Sequence, residues 1–188
     1  MNCPSCWRPI DFEEKYLKVA SCPYCNSILE FGWGELNKIW EQWDFIDFPS
    51  IFKVWKEVEW EWNKVYVKWQ LRYEYDWGFF DKFFVIIEWK EYFIEEDDWN
   101  KTLLIDWDWK EANITLMDKF VWENVNIWWK DVFVNETGIF KLVNIKWFVN
   151  NLLIPWKEYE YLDGIIDWKV IHFEKEVWKN KIRIIKEV

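Results

Sequence analysis

The chain has 188 residues with a formal net charge of −10, and 23% of the residues are aromatic. An acidic balance of this size disfavours a protein whose main partner is a nucleic-acid backbone. No apolar run approaches the roughly 18 residues that span a membrane, and the N-terminus lacks the basic and apolar regions of a signal peptide. We therefore expect a cytoplasmic chain without a transmembrane segment.

The first predicted element is a zinc ribbon at residues 1–30. Cys3, Cys6, Cys22 and Cys25 form two C-x₂-C pairs, which is the spacing of structural zinc sites. Two disulfides or a redox C-x-x-C are the alternatives. Disulfides are disfavoured without a secretion signal, and a thioredoxin-type motif needs a βαβ context that is absent. Four thiolates leave no open position for water, so the predicted Zn²⁺ is structural rather than catalytic.

The rest of the chain is predicted to be mainly β. Residues 31–48 are expected to be a linker, with Gly34–Gln42 as the one helical candidate. From residue 49 onward, short apolar runs separated by turn signals are typical of strands. Nine runs are predicted to be strands: Val65–Val67, Phe83–Ile87, Tyr92–Ile94, Leu103–Ile105, Ile114–Met117, Val132–Val134, Phe140–Ile145, Val170–Phe173 and Ile182–Ile185. The predicted fold is thus an N-terminal zinc ribbon followed by two similar small antiparallel β units, barrel-like or roll-like, at 49–110 and 111–188.

An internal repeat supports the division into two units. Residues 54–67 align without a gap on residues 121–134, with an offset of 67 positions. Seven pairs are identical or similar: Val54/Val121, Trp55/Trp122, Val58/Val125, Trp62/Trp129, Val65/Val132, Tyr66/Phe133 and Val67/Val134. Two similar β units are the economical interpretation, and chance alignment of valine-rich hairpins is the alternative.

Tryptophan is anomalous in both number and context. The chain has 20 Trp and only 5 Gly; Asp precedes Trp at five positions, and Lys or Asn follows it at nine. These are contexts of glycine in hairpin turns, where a positive φ is needed. We interpret most of these positions as glycines in the natural protein, because some bacteria read the codon UGA as Gly whereas another code reads it as Trp. The alternative is a chain that truly carries Trp at its turns.

This interpretation makes a structural prediction for individual Trp residues. Nine should lie in turns and be largely exposed, several with positive φ: Trp62, Trp77, Trp99, Trp107, Trp109, Trp128, Trp129, Trp168 and Trp178. Trp60 should instead pack on a strand. Trp7 follows the second Cys, as Asn26 follows the fourth, so Trp7 should share the left-handed conformation that Asn tolerates.

No catalytic residues are predicted. His172 is the only His, and its alternation with apolar neighbours in residues 170–173 indicates a strand histidine rather than a catalytic base. Nucleophile-elbow, P-loop and dinucleotide-binding motifs are absent. The acidic residues at 95–98, Glu158 and Glu160 are interpreted as solvated loops rather than paired catalytic carboxylates.

Several segments carry a resemblance to a known family. Residues 70–81 and 88–96 form an aromatic hairpin pattern, and residues 132–136, 154–157 and 161–163 form a later pattern. In these segments the chain resembles the domain of unknown function 4178 family of bacterial proteins, in which an N-terminal zinc ribbon often precedes a β-rich domain. That family tends to have Gly at several Trp positions of this chain: Trp69, Trp77, Trp89, Trp99, Trp147, Trp156 and Trp168.

The resemblance implies a partner but no catalytic residues. Similar proteins are often encoded near membrane-stress and membrane-remodelling components, which implies a protein partner such as a membrane-stress component. The leading expectation is a non-enzymatic cytoplasmic interaction module. A nucleic-acid-binding zinc ribbon is the alternative, although residues 1–30 carry three basic and four acidic side chains. A Trp-rich carbohydrate binder is a third, and it loses its evidence if the Trp are misread Gly.

Overall fold

The structure of the protein is a computed structural model. The described residues are 1–11, 19–32, 35–40, 48–76, 78–98, 100–111, 114–117, 119, 121–146, 148–149, 157–177 and 179–188. Strands and turns dominate these residues and none is helical, so the prediction of a mainly β fold is confirmed. They accordingly contain no helix that could cross a membrane.

The described residues form fourteen strands. Their bounds are β1 Val19–Ser21, β2 Ile28–Gly32, β3 Glu35–Trp40, β4 Glu57–Trp60, β5 Asn63–Tyr75, β6 Gly78–Ile87, β7 Lys90–Asp97, β8 Asn100–Glu111, β9 Asn124–Ile127, β10 Lys130–Lys146, β11 Phe148–Val149, β12 Glu158–Ile166, β13 Lys169–Glu176 and β14 Lys181–Glu187. All of their pairings are antiparallel.

A small sheet has the order β11-β1-β2-β3; β1, β2 and β3 come from the N-terminal region, and β11 comes from the second predicted unit. The expected helix at Gly34–Gln42 is wrong, because β3 occupies its centre and pairs with β2 from Gly32↔Glu35 to Leu29↔Lys38. Leu36 packs against the buried cluster that contains Leu29 and two of the cysteines. Packing of Leu36 against this cluster therefore overrides the local helical preference.

The larger sheet closes into a barrel. Its order is β4-β5-β6-β7-β8-β14-β13-β12-β10-β9, and a further pairing of β5 with β10 closes a ring of eight strands. The first predicted unit supplies β4 to β8, and the second supplies β9, β10 and β12 to β14. The two sets of strands meet at the β8–β14 and β5–β10 pairings, so the barrel has one half from each unit.

The two aligned segments, 54–67 and 121–134, have the same local structure. The Trp55 N–H donates to the Val67 carbonyl over 2.8 Å, and the Trp122 N–H donates to the Val134 carbonyl over 2.8 Å. A register shift follows at the same place in each half, directly after Val67 in β5 and directly after Val134 in β10. The segments aligned by sequence therefore hold equivalent places in the two halves of the barrel.

The outward-facing side of each half carries its own apolar cluster. In the first half, Phe52 is buried against Phe83, with ring centroids 5.3 Å apart. In the second half, Leu116 is fully buried in the corresponding cluster. The expected strand at Ile114–Met117 is wrong, because the Leu116 N–H donates to a carboxylate oxygen of Glu160 instead of to a neighbouring strand.

Most of the described turn tryptophans lie where the recoding hypothesis places them. Trp62, Trp129 and Trp168 have φ of 66°, 68° and 66°, and their side chains are at least 94% exposed. Each is the second residue of a two-residue hairpin loop, a position that favours glycine. Trp89, which is not among the nine tryptophans predicted to be exposed in turns, has the same place with φ of 68°.

Two other tryptophans test the same prediction. Trp60 packs on β4 with its ring 5.7 Å from that of Phe52, as predicted. Trp128 lies in a turn with φ of 47°, but the prediction of exposure is wrong because its ring packs against the cluster of the second half.

Trp107 and Trp109 lie on β8, so the prediction of turns is wrong for both. Ile184 pairs with Asp108 and Ile185 with Asp106, which leaves Trp107 as the extra residue of a β-bulge, another setting in which glycine is common. Trp77, Trp99 and Trp178 fall outside the described residues.

Candidate metal centre and the interior of the barrel

Two turns of the same kind present the cysteines. The Cys3 N–H donates to the Arg8 carbonyl and the Trp7 N–H donates to the Cys3 carbonyl, both over 2.9 Å. Asn26 and Cys22 repeat the second of these bonds at 2.9 Å. Trp7 has φ of 61° and Asn26 has φ of 57°, so the predicted left-handed conformation of Trp7 is confirmed.

The four predicted ligands come together in one cluster. The Sγ atoms of Cys3 and Cys25 are 3.8 Å apart, those of Cys6 and Cys22 are 3.7 Å apart, and all four lie within 4.8 Å of one another. All four are free thiols rather than disulfides. A tetrahedron with Zn–S bonds of about 2.3 Å requires S–S separations of about 3.8 Å. The sulfurs therefore fit a single tetrahedral metal ion.

The surroundings of the cluster act differently on the individual thiols. The Ser5 N–H donates to Cys3 Sγ over 3.4 Å. Burial raises the pKa of Cys22 to about 12. Burial also opposes the thiolate of Cys25, but hydrogen bonds from Ser27 and the neighbouring thiols outweigh it and lower the Cys25 pKa to about 6. With a metal bound, sulfur would fill every position of the shell, so the cluster can hold an ion but offers no site for a reacting water.

The interior of the barrel contains a buried ion-pair network that the sequence analysis missed. Lys82 on β6 is 3% exposed and pairs with Glu174 on β13 and, over 3.0 Å, with Glu95 on β7. The Arg183 guanidinium lies 3.4 Å from Glu174. Burial disfavours the charged forms, but the attraction within the network raises the pKa of Lys82 and lowers that of Glu174, so both stay ionised.

His172 belongs to the same interior network. It lies on β13, as predicted, with Nδ1 2.8 Å from Asp163 and Nε2 3.4 Å from Glu187. Burial favours the neutral ring, but the hydrogen bond and the charge of Asp163 outweigh it and raise the His172 pKa to about 9. The ring is therefore protonated at neutral pH, which disfavours a role as a general base.

The acidic residues that were expected in solvated loops are partly buried and paired in strands. Glu96 lies on β7, is buried and pairs with Lys101 over 2.9 Å, and Glu160 is buried beside Lys175. The interpretation as solvated loop residues is wrong for these two, because each carboxylate has a cationic partner that offsets its desolvation. It is also wrong for Glu95 and Asp97, which lie on β7 together with Glu96. Glu158 is exposed. A charged residue flanked by aromatic residues in a strand, such as Lys82, was the available signal for the network.

Among the described residues, the exposed turn tryptophans do not all line one groove. Trp60, Trp62 and Trp89 line a groove on the first half of the barrel. Trp129 and Trp168 do not contribute to that groove. A single aromatic platform of the kind a carbohydrate binder needs is therefore not built from the turn tryptophans.

Comparison with known proteins adds no relative to this description. No family model matches the chain. No curated protein and no solved structure matches it either.

Proposed function

We propose that the chain is a non-enzymatic interaction module whose N-terminal ribbon folds around one structural Zn²⁺ bound by Cys3, Cys6, Cys22 and Cys25. The tetrahedral spacing of the four sulfurs carries this proposal. Zinc suits a closed shell of four thiolates, and such a site supplies folding free energy to a segment with a small apolar core. Free thiols in this role favour a reducing compartment, which supports a cytoplasmic location.

The proposed partner is a protein that docks on the small sheet β11-β1-β2-β3, here called the ribbon sheet. β3 is the edge strand of that sheet, and within the described residues its only strand partner is β2. Asn37, Lys38 and Ile39 on β3 are exposed. An edge of this kind can accept an extended peptide as a further strand. The resemblance to the domain of unknown function 4178 family favours a partner among membrane-stress components.

Nucleic-acid binding by the ribbon is the second candidate. The Arg8 guanidinium lies 5.0 Å from the centre of the Tyr24 ring, and Tyr24 is half exposed beside the cysteine cluster. An exposed ring next to an arginine can stack on a base and contact phosphate. The acidic balance of the chain opposes this candidate.

Affinity capture from the source cell distinguishes the two candidates. The zinc-loaded chain should retain a protein in stoichiometric amount, and Ile39→Lys should reduce that amount because a charge on an edge strand opposes strand addition. Ile51→Lys, which changes another exposed Ile outside the ribbon sheet, is the matched control and should retain the partner. Retention of nucleic acid that is lost with added salt and with Arg8→Ala would instead support the second candidate.

A further inference from the structure

One mouth of the barrel contains a cavity with a volume of about 80 Å³. Its walls include the aromatic rings of Tyr75, Phe80, Phe140 and Tyr161 and the carboxylates of Asp97 and Glu136. These side chains come from both halves of the barrel. Mouths of β-barrels are a common place for small-molecule sites.

The rings form a connected aromatic wall. Phe80 and Phe140 meet edge to face with centroids 5.6 Å apart, and Tyr75 and Tyr161 extend the wall at 5.9 and 5.8 Å. The ammonium of Lys82 lies 5.4 Å from the Phe80 ring and 5.7 Å from the Phe140 ring. The Lys82 ammonium group therefore contacts the inner part of the wall in the geometry of a cation–π interaction.

The outer part of the cavity has the same chemistry, but none of the described residues supplies a cation there. Lys82 pairs with Glu95 and Glu174, and His172 pairs with Asp163. Both cationic side chains that line the cavity, Lys82 and His172, are therefore already paired with carboxylates.

Asp97 and Glu136 have phenol rather than cationic partners. Tyr75 Oη donates to Asp97 over 3.2 Å, and Tyr161 Oη donates to Glu136 over 2.5 Å. Neither carboxylate forms an ion pair within the described part of the chain. Burial, together with nearby carboxylates including Glu136, raises the pKa of Asp97.

The position of Tyr161 depends on a glycine in the neighbouring strand. Gly138 on β10 pairs directly with Tyr161 on β12. A Cβ atom at position 138 would lie 2.6 Å from the Tyr161 ring, which is closer than real contacts allow. Gly138 therefore allows the ring to lie across β10 and to form the wall of the cavity.

We propose that this cavity binds a small organic ammonium ion, such as a methylated amine. The positive charge would lie near Asp97 and Glu136, and its methyl or methylene groups would contact the rings of Tyr75 and Tyr161. Aromatic faces combined with carboxylates favour an organic cation, because such a cation is less strongly hydrated than a metal ion and gains from ring contacts. The proposal does not depend on the zinc site.

Calorimetric titration of the zinc-loaded chain with tetramethylammonium chloride, at constant ionic strength in NaCl, tests the proposal. We expect saturable binding of one ion per chain. Glu136→Gln keeps an acceptor for Tyr161 and should weaken binding roughly tenfold through loss of the charge. Glu91→Gln removes the same charge at an exposed site outside the cavity and should leave the affinity unchanged.

Two further variants test the contribution of the Tyr161 ring to binding. Tyr161→Phe keeps the ring and should retain binding, whereas Gly138→Ala should weaken it by displacing the ring. The proposal is overturned if tetramethylammonium gives no saturable heat, or if Glu136→Gln binds it as well as the unchanged chain. It is also overturned if Ca²⁺ or Mg²⁺ binds at the cavity and tetramethylammonium does not compete.

Discussion

Lys82 and Glu174 form an ion pair across the inside of the barrel, although three strands separate β6 from β13 in either direction around the ring. The pair therefore joins strands on opposite sides of the barrel, one from each half. Both side chains are buried, and Glu95 and Arg183 complete their contacts. Such a network is costly to break because each remaining charge stays desolvated.

Glu174→Gln should destabilise the fold strongly. The substitution removes the negative charge that Lys82 and Arg183 share, and we expect the free energy of unfolding to fall by about 3–5 kcal/mol. Urea denaturation measures this change. Glu57→Gln is the control, because Glu57 pairs with Lys64 on the surface and its loss should cost less than about 1 kcal/mol. Equal effects of the two substitutions would contradict the role of the interior network.

Stability should fall between pH 6.5 and 9 because of His172. Its pKa is raised from 6.5 to about 9 in the folded chain, so its stabilising contribution is complete below pH 6.5 and is lost as the pH rises through 9. We expect a loss of on the order of 1–3 kcal/mol across this range, measured by urea denaturation of the zinc-loaded chain. His172→Gln should flatten the profile, and an unchanged slope in that variant would refute the assignment.

Glycine should stabilise the hairpin turns that now carry tryptophan. Trp62→Gly, Trp129→Gly and Trp168→Gly each relieve a positive φ and should raise the free energy of unfolding by about 1 kcal/mol. Trp60→Gly is the matched control and should destabilise, because Trp60 packs against Phe52. Thermal unfolding measures both effects. Loss of stability in all four variants would favour tryptophan as the native residue, as would UGG codons at the turn positions in the gene.

Local patterns in the sequence predicted the cysteine cluster and many of the strands. The two C-x₂-C pairs specify both the ligands and their turns, because the geometry depends on residues close together in the chain. The Lys82–Glu174 pair was not predictable in this way. It depends on closure of the ring by β5 and β10, and strand pairing between residues as distant as Arg72 and Asn144 leaves no local signal.

Contacts between distant parts of the chain also explain two secondary-structure predictions that are wrong. Ile114–Met117 has the apolar character of a strand, but Leu116 fills the core of the second half while its N–H is satisfied by Glu160. The sequence around Leu36 indicates a helix, but the Leu36 side chain packs against the buried core of the ribbon in a strand. In both cases tertiary packing decided the local structure.

Removal of zinc should unfold the ribbon sheet before the barrel. The cysteine cluster holds the turns that flank β1, whereas the β6–β7 hairpin is held by its own buried apolar cluster. After chelation, we expect amide hydrogens of β1 and β2 to exchange faster, and those of β6 and β7 to remain protected. Hydrogen exchange followed by mass spectrometry measures this difference. Uniform loss of protection in all four strands would contradict a metal-dependent ribbon on a separately stable barrel.

X-ray absorption at the zinc edge tests the metal centre most directly. The chain purified with zinc should show a first shell of four sulfurs at about 2.3 Å, because Cys3, Cys6, Cys22 and Cys25 fill every position. A first shell that contains nitrogen or oxygen at about 2.0–2.2 Å would contradict a closed tetrathiolate site. Absence of bound zinc, with the cysteines joined as disulfides, would contradict it as well.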